Sequence, residues 1–306
     1  MCTVVGPPSF PYTPGGDVCG VVVAVPPEEN ESKCKFRVGD TIATRFVNKP
    51  MGALGEYALV SPDVCDCVPD GITHEGAAAL VSSGTVAVII ADRIQEGDRV
   101  LIFGAGGGVG SHLCQMARLQ GASYVAGVAQ DSQRLMEKPL NCDYAIDYTK
   151  TDPFDDVKEW RENPFDVIVD LSGGVWPRLL EKSTSQSIIK PGNKGGRYIT
   201  TTPDSPIFEM HSIWAIISTF MFPSLWRALS SRMRRWSLPK YSYVLALPST
   251  SDIVTRTLKL GSESKLVPVV DTKGPFQFTT DGVRDAFRLQ QSYHAKGKVV
   301  ITVAKE

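Results

Sequence analysis

The chain has 306 residues, 42% hydrophobic and 21% charged, with a formal net charge of −1; this is average globular usage and enough length for one large or two moderate domains. So balanced a charge gives no field to gather nucleic acid or acidic lipid over the surface as a whole and favours small-molecule chemistry. Seven scattered cysteines, Cys2, Cys19, Cys34, Cys65, Cys67, Cys114 and Cys142, have neither a disulfide framework's pairing nor the spacing of zinc knuckles and read as reduced thiols of an intracellular protein.

In chain order, "MCTVVGPPSFPYTPGG" has no basic stretch before an apolar core and no Arg-rich, Ser-rich character, so neither a secretory signal nor a transit peptide is expected. "GVVVAV" from Gly20 to Val25, "RVGDTIATRF" and "GEYALV" predict short strands separated by turns, an all-β opening. From about Thr85 strands alternate with helical segments. "RVLIFGA" precedes a helix over about Val109 to Gln120, then "SYVAGVA", a helix from Ser132, and "DYAIDY". "FDVIVDL", a helix around Leu179 and Glu181, "GGRYITT" and "YSYVLAL" follow. Such alternation predicts βαβ crossovers and a doubly wound parallel sheet.

The apolar run "IWAIISTFMF", Ile213 to Phe222, is about half the ~20 residues of a membrane span and stops at Pro223. The next stretch, "WRALSSRMRRW", is basic with two tryptophans; it suits a membrane surface or a partner, and a solvated helix face is the plainer expectation. "KLVPVVD" and "GKVVITV" return to strand character around one helix, "TDGVRDAFRLQQS". The β-rich region is thus split, giving expected domains of 1–85, 86–248 and 249–306, the middle one α/β. There is no internal repeat.

Gly104, Gly107 and Gly110 form G-x-x-G-x-x-G directly after a strand and at a helix start. Bare backbone at that point brings N–H groups and the helix N-terminus against a pyrophosphate, so a dinucleotide is the expected ligand. Ala105 departs from the strict G-x-G-x-x-G. The following strand ends at Ala129 and Gln130 rather than at an acid for the ribose diol, and Arg134 stands at the start of the next helix. A guanidinium without a repelling carboxylate favours the 2′-phosphate of NADPH; the alternative for Arg134 is an ordinary solvated helix residue.

The ordered series "FPYTPGGDVCGVVVAV", "FRVGDTIATRF", "GALGEYALV", "EGAAALVSSGTVA", "DRVLIFGAGGGVG", "CDYAIDY" and "HAKGKVVITV" resembles the medium-chain dehydrogenase/reductase superfamily, in its zinc-free quinone oxidoreductase (zeta-crystallin-like) branch, from about Phe10 to Val303. "GGRYIT" and "HAKGK" resemble the reticulon-interacting mitochondrial oxidoreductases most. The resemblance implies a Rossmann domain inserted in a GroES-like β domain, here shortened at its N-terminus, where the family carries a longer segment before "PGGD". It implies that Gly106, Gly107, Gly108 and Val109 hold the pyrophosphate, that Arg134 and Tyr148 flank the 2′-phosphate, and that Thr85 and Ser172 approach the nicotinamide. Tyr148 also reads as a strand-end aromatic and Ser172 as a turn residue.

Zinc alcohol dehydrogenases of the superfamily use the His of a Gly-His-Glu motif, where this chain has Gly15, Gly16 and Asp17. No metal is expected: Cys65 and Cys67 are too sparse for a sulfur site, and "HEGAA" at His74 lacks a metalloprotease's second histidine. The fitting reaction is hydride transfer from NADPH to a quinone or an α,β-unsaturated carbonyl, with no general acid identified. Rival readings are a non-enzymatic NADPH-binding or partner-binding protein and an enoyl-thioester reductase. The partners expected are a small molecule and, as in the family, a second copy; the compartment expected is cytoplasmic, or mitochondrial if an N-terminal segment is missing.

Overall fold

A computed structural model describes residues 13–26, 34–45, 52–154, 158–181, 187–204, 217–245 and 251–303. Cys2, Phe10 and residues 213–216 of the apolar run lie outside that set. The chain opens with β1 (Asp17–Val21), β2 (Thr41–Arg45) and β3 (Cys65–Cys67), an antiparallel sheet in that order. Helix α1 (His74–Ala79), capped by the Thr73 hydroxyl, runs through a π-helical turn at Leu80–Gly84 into α2 (Thr85–Ala91). This 74–91 run is long and apolar enough to cross a membrane, but 72% of it is buried in protein, as in a core helix.

Next come β4 (Arg99–Phe103), α3 (Gly108–Leu119), β5 (Tyr124–Ala129), α4 (Ser132–Met136) and β6 (Tyr144–Asp147). They are followed by α5 (Lys158–Glu162), β7 (Val167–Asp170), α6 (Val175–Glu181), β8 (Arg197–Thr200), α7 (Phe222–Met233) and β9 (Lys240–Tyr243). The chain closes with α8 (Ser251–Ser262), β10 (Phe276–Gln277), α9 (Thr280–Gln291) and β11 (Ile301–Thr302).

Two compact units result. One holds described residues 90–106 and 114–245; the other holds 13–89, 107–113 and 251–303. The first contains the predicted parallel sheet, six strands in the order β6-β5-β4-β7-β8-β9. That order reverses between β4 and β7, the doubly wound pattern in which right-handed crossovers cover opposite faces. The central strands "RVLIF" and "VIVD" are apolar apart from Arg99 at the start of one and Asp170 at the end of the other, and all but Arg99 are buried, because both faces are covered. The core is aromatic at one side: Trp160 packs edge-on to Phe165 at 4.9 Å, and Trp176 edge-on to Tyr241 at 4.9 Å.

In the second unit several strand expectations need correction. "GVVVAV" pairs only as far as Val21, because β2 starts at Thr41 just after a turn that Val22 closes by bonding to Gly39 and Asp40. Val23 is exposed. "GEYALV" is not a strand: Tyr57 and Leu59 point to solvent, and among the described residues no strand lies beside it. "KLVPVVD" makes one isolated bridge, Val270 to Lys298, since Pro268 has no N–H to donate. "GKVVITV" is reduced to β11, parallel to β10.

Candidate cofactor site

In open parallel sheets, ligands bind beyond the carboxyl ends of the strands where the order reverses, here the ends of β4 and β7. Chain leaves β4 through Gly104, with φ +78° and both its own N–H and that of Ala105 donating to the Val128 carbonyl at 3.1 Å. A Cβ at Gly104 would sit 3.3 Å from the Cβ of Leu171, in the turn after β7. Glycine therefore serves twice here: only it takes this φ readily, and only it lets the two strand ends approach so closely. A Cβ at Gly106 would meet the Ala129 methyl at 3.1 Å.

The departure at Ala105 is matched across the sheet. Ala105 is fully buried, and a Cβ added to Gly127 of β5 would lie 3.0 Å from its methyl and 2.7 Å from Leu135 Cδ1. The side chain missing from the strand makes room for the methyl of the turn. Gly127 was invisible as a site residue; "YVAGVA" contains the signal, an isolated glycine inside a strand that marks close backbone approach.

Around this turn the first unit gathers three of the expected residues. Arg134, half-buried on α4, donates from Nη1 to the Gly106 carbonyl at 3.5 Å. Register pairs Ala129 with Asp147, so Tyr148 leaves β6 one residue beyond the end of β5, half exposed. Beside it the Thr149 hydroxyl and then Lys150, 2.9 Å away, hold the Asp147 carboxyl down at about 2.

Ser172 lies in the turn after β7, organised by a residue the sequence reading missed. Asp170 is buried at the end of β7 and its carboxylate accepts from the Ser172 N–H and hydroxyl, the Gly173 and Val175 N–H groups, and the Tyr198 hydroxyl at 2.7 Å. Burial first, and the neighbouring Asp170 charge, push the Tyr198 phenol well up. Ser172 thus donates twice to Asp170 within this turn. The signal was an acid closing an apolar run before S-G-G.

Gly108 and Val109 begin α3 in the second unit, just after Gly107, where first-turn N–H groups have no partner within the helix. Gly108 has no room for a side chain: a Cβ would be 2.7 Å from Ser83 Oγ and 3.5 Å from the Lys298 Cα. Thr85, fully buried in this unit, donates its hydroxyl to the Val81 and Ser82 carbonyls of the π-turn, at 2.9 and 2.8 Å.

Two further groups of this unit stand close to the start of α3. His112 is fully buried; its Nδ1 bonds the Gly108 carbonyl at 2.6 Å and its Nε2 accepts the Val269 N–H at 3.1 Å. That arrangement fixes the neutral Nδ1–H tautomer, and burial lowers the imidazole to about 4. Asp17 of "PGGD" is held by Lys298 Nζ at 2.8 Å, which also reaches Ser82 Oγ at 3.0 Å, and by Arg45 Nε at 3.6 Å. Burial works to raise the Asp17 carboxyl, but the Lys298 and Arg45 charges outweigh it and hold it below its usual range.

Within the first unit, bare backbone at Gly104 and Gly106 lies beside the Arg134 guanidinium, the kind of turn that can approach a dinucleotide's phosphates. Residues 140–301, more than half of the chain, match the zinc-binding dehydrogenase family. The chain belongs to that family. The chloroplastic NADPH-dependent alkenal/one oxidoreductase of Arabidopsis thaliana is 28% identical over 297 residues, covering 95% of this chain. The chain spans 64% of that relative's length. The mitochondrial NAD(P)H oxidoreductase RTN4IP1 of Homo sapiens is 28% identical over 309 residues, 96% of this chain and 71% of its own. Among solved structures, the quinone oxidoreductase of Escherichia coli complexed with NADPH superposes with a TM-score of 0.72 at 20% identity, over 97% of this chain and 84% of that one, a likeness of fold.

Despite the family's name, the described residues contain no group of three or more His, Cys, Asp or Glu arranged to hold a metal. Asp17, in the stretch where the zinc enzymes carry their Gly-His-Glu, is committed to Lys298.

Proposed function

We propose that the chain is a zinc-independent, NADPH-dependent oxidoreductase that reduces a quinone or an α,β-unsaturated carbonyl. The observation that carries this reading is Arg134 on the Gly106 carbonyl, beside a strand that ends at Ala129 and Gln130 with no acid to claim the ribose diol. A guanidinium there suits a 2′-phosphate, as a charge that NADH would not use. The relatives' printed activities, on alkenals, alkenones and quinones, support the acceptor class.

In this reading the N–H groups of Gly106, Gly107, Gly108 and Val109 bind the pyrophosphate, Arg134 and Tyr148 flank the 2′-phosphate, and Asp170 positions the Ser172 turn on the nicotinamide side. Thr85 contributes through its helix. NADPH, when bound, supplies the hydride. Backbone and hydroxyl donors balance the charge that develops on the acceptor oxygen. The mitochondrial relative RTN4IP1 supports a mitochondrial rather than a cytoplasmic location.

The test is NADPH oxidation by the purified chain with phenanthrenequinone and a simple enone, run beside zinc analysis. Turnover of either acceptor without stoichiometric zinc supports the reading; bound zinc at one per chain overturns its metal-free part. Tight NADPH binding with no turnover would put a binding protein in its place, and a strong preference for acyl-carrier thioesters an enoyl-thioester reductase.

A further inference from the structure

Helix α7 is amphipathic the wrong way round for a surface helix. At 100° per residue, Phe222, Leu225, Trp226, Leu229 and Met233 fall within an arc of about 100°, and all five are between 50 and 76% exposed. The opposite face is small and polar, and it is the face that packs on the protein. Ser231 is buried, its hydroxyl accepting the Tyr241 N–H at 3.1 Å and donating to the Ala228 carbonyl at 2.9 Å. Arg227 pairs with Asp204 at 2.9 Å, above the Tyr241 ring, and Ala228 touches the core. An apolar stripe of this size left outward, when the polar face is turned in, marks a surface that is covered by something else.

Charge identifies the cover. Between Glu209 and Asp252 the sequence has no acidic residue, while Arg227, Arg232, Arg234, Arg235 and Lys240 are basic. Arg227 is spent on Asp204, but Arg232, Arg234 and Arg235 are exposed at the end of the helix, interleaved with Met233 and with Trp236, itself exposed. A second copy placed on this stripe would set arginine against arginine with no carboxylate of the segment to pair them. A bilayer answers both halves of the pattern: acyl chains take the stripe, tryptophans sit at the headgroup level, and arginines meet anionic headgroups.

We propose that α7 and the turn after it form a docking surface for an anionic lipid bilayer, on which the helix lies in the interface without crossing it. The docking is independent of the cofactor reading, since none of these side chains belongs to the glycine turn or its neighbours.

The experiment is co-sedimentation of the full chain with vesicles of phosphatidylcholine alone and of phosphatidylcholine mixed with phosphatidylserine, across a salt series. Binding should require phosphatidylserine and weaken with salt. Each arginine exchanged for glutamine at 232, 234 and 235 should cost about fivefold in affinity, and Trp226→Ser with Leu229→Ser should abolish binding. Because these side chains are exposed, the variants should keep the native melting temperature. Should a variant fail that check, the salt series on the unaltered chain and quenching of its tryptophans by brominated lipid still decide the matter. No binding, or equal binding to both vesicles, overturns the proposal. So does a dimer in sedimentation equilibrium that Leu229→Asp breaks, in which case the stripe is a contact between copies.

Discussion

Replacing Lys298 with methionine removes the main partner of a buried carboxylate while keeping the apolar stem. Asp17 is 8% exposed, its Oδ2 bonded to Lys298 Nζ at 2.8 Å, and its Oδ1 makes no hydrogen bond, with Arg45 Nε at 3.6 Å. Without the ammonium, the long Arg45 ion pair and the Ser82 hydroxyl must offset the burial of a full charge. Breaking a buried pair from one side typically costs roughly 3–5 kcal/mol, and Lys298→Met should lose that much in denaturant unfolding at neutral pH. Adding Asp17→Asn should recover most of the loss, because the unpaired charge is then gone.

The pH dependence has a definite sign. In the native chain the Asp17 carboxyl is held below its ordinary value, so its contribution is present above the unfolded value and is lost as pH falls through the folded one. In the variant burial dominates and the folded carboxyl rises above the unfolded value. Its deficit should therefore be largest near neutrality and shrink on acidification. Lys298 also disfavours protonation of His112, so its loss narrows the gap in the same direction, and the double variant separates the two effects. A single-variant loss below about 1 kcal/mol, or a double variant no more stable than the single, would refute the reasoning.

Gly127→Ala should destabilise by about 1–3 kcal/mol through the clash with Ala105, and Ala105→Gly on top of it should restore part of the loss; thermal melts of the four combinations measure the coupling. His112→Phe leaves the Val269 N–H without an acceptor and should cost about 1–3 kcal/mol. Since burial lowers His112 from 6.5 to about 4, the native chain should lose roughly 3 kcal/mol as pH falls across that interval, where only the unfolded chain takes up the proton; the variant should lack this component. Asp170→Asn presents an amide N–H₂ or a single acceptor where five donors converge and should cost about 3 kcal/mol, with a weaker NADPH titration as the Ser172 turn loosens.

Legibility in the sequence followed the range of the interaction. Strand β4, the glycine turn and α3 could be read because period, apolar runs and glycine spacing are local properties, and the parallel sheet followed from the alternation. What was missed depends on distant partners. Asp17 and Lys298 are 281 positions apart, and nothing near either indicates the pairing. Gly127 acquires meaning only against Ala105 across the sheet, and Asp170 only through the donors folded round it. "GEYALV" misled because its alternation is real but its apolar side chains face solvent, and "KLVPVVD" because Pro268 interrupts what its valines suggest. "WRALSSRMRRW" suits a membrane surface or a partner and, more plainly, a solvated helix face beside its own core; composition could not tell which of the helix's two faces turns inward.

The central claim, that Arg134 selects NADPH, is tested most directly by titrating the chain and its Arg134→Glu variant with NADPH and with NADH. A charge-assisted bond to phosphate is worth about 1.5–3 kcal/mol, so the variant should lose at least about tenfold in NADPH affinity while NADH affinity stays nearly unchanged. Equal losses for the two nucleotides, or an unaltered chain that binds both alike, would contradict it.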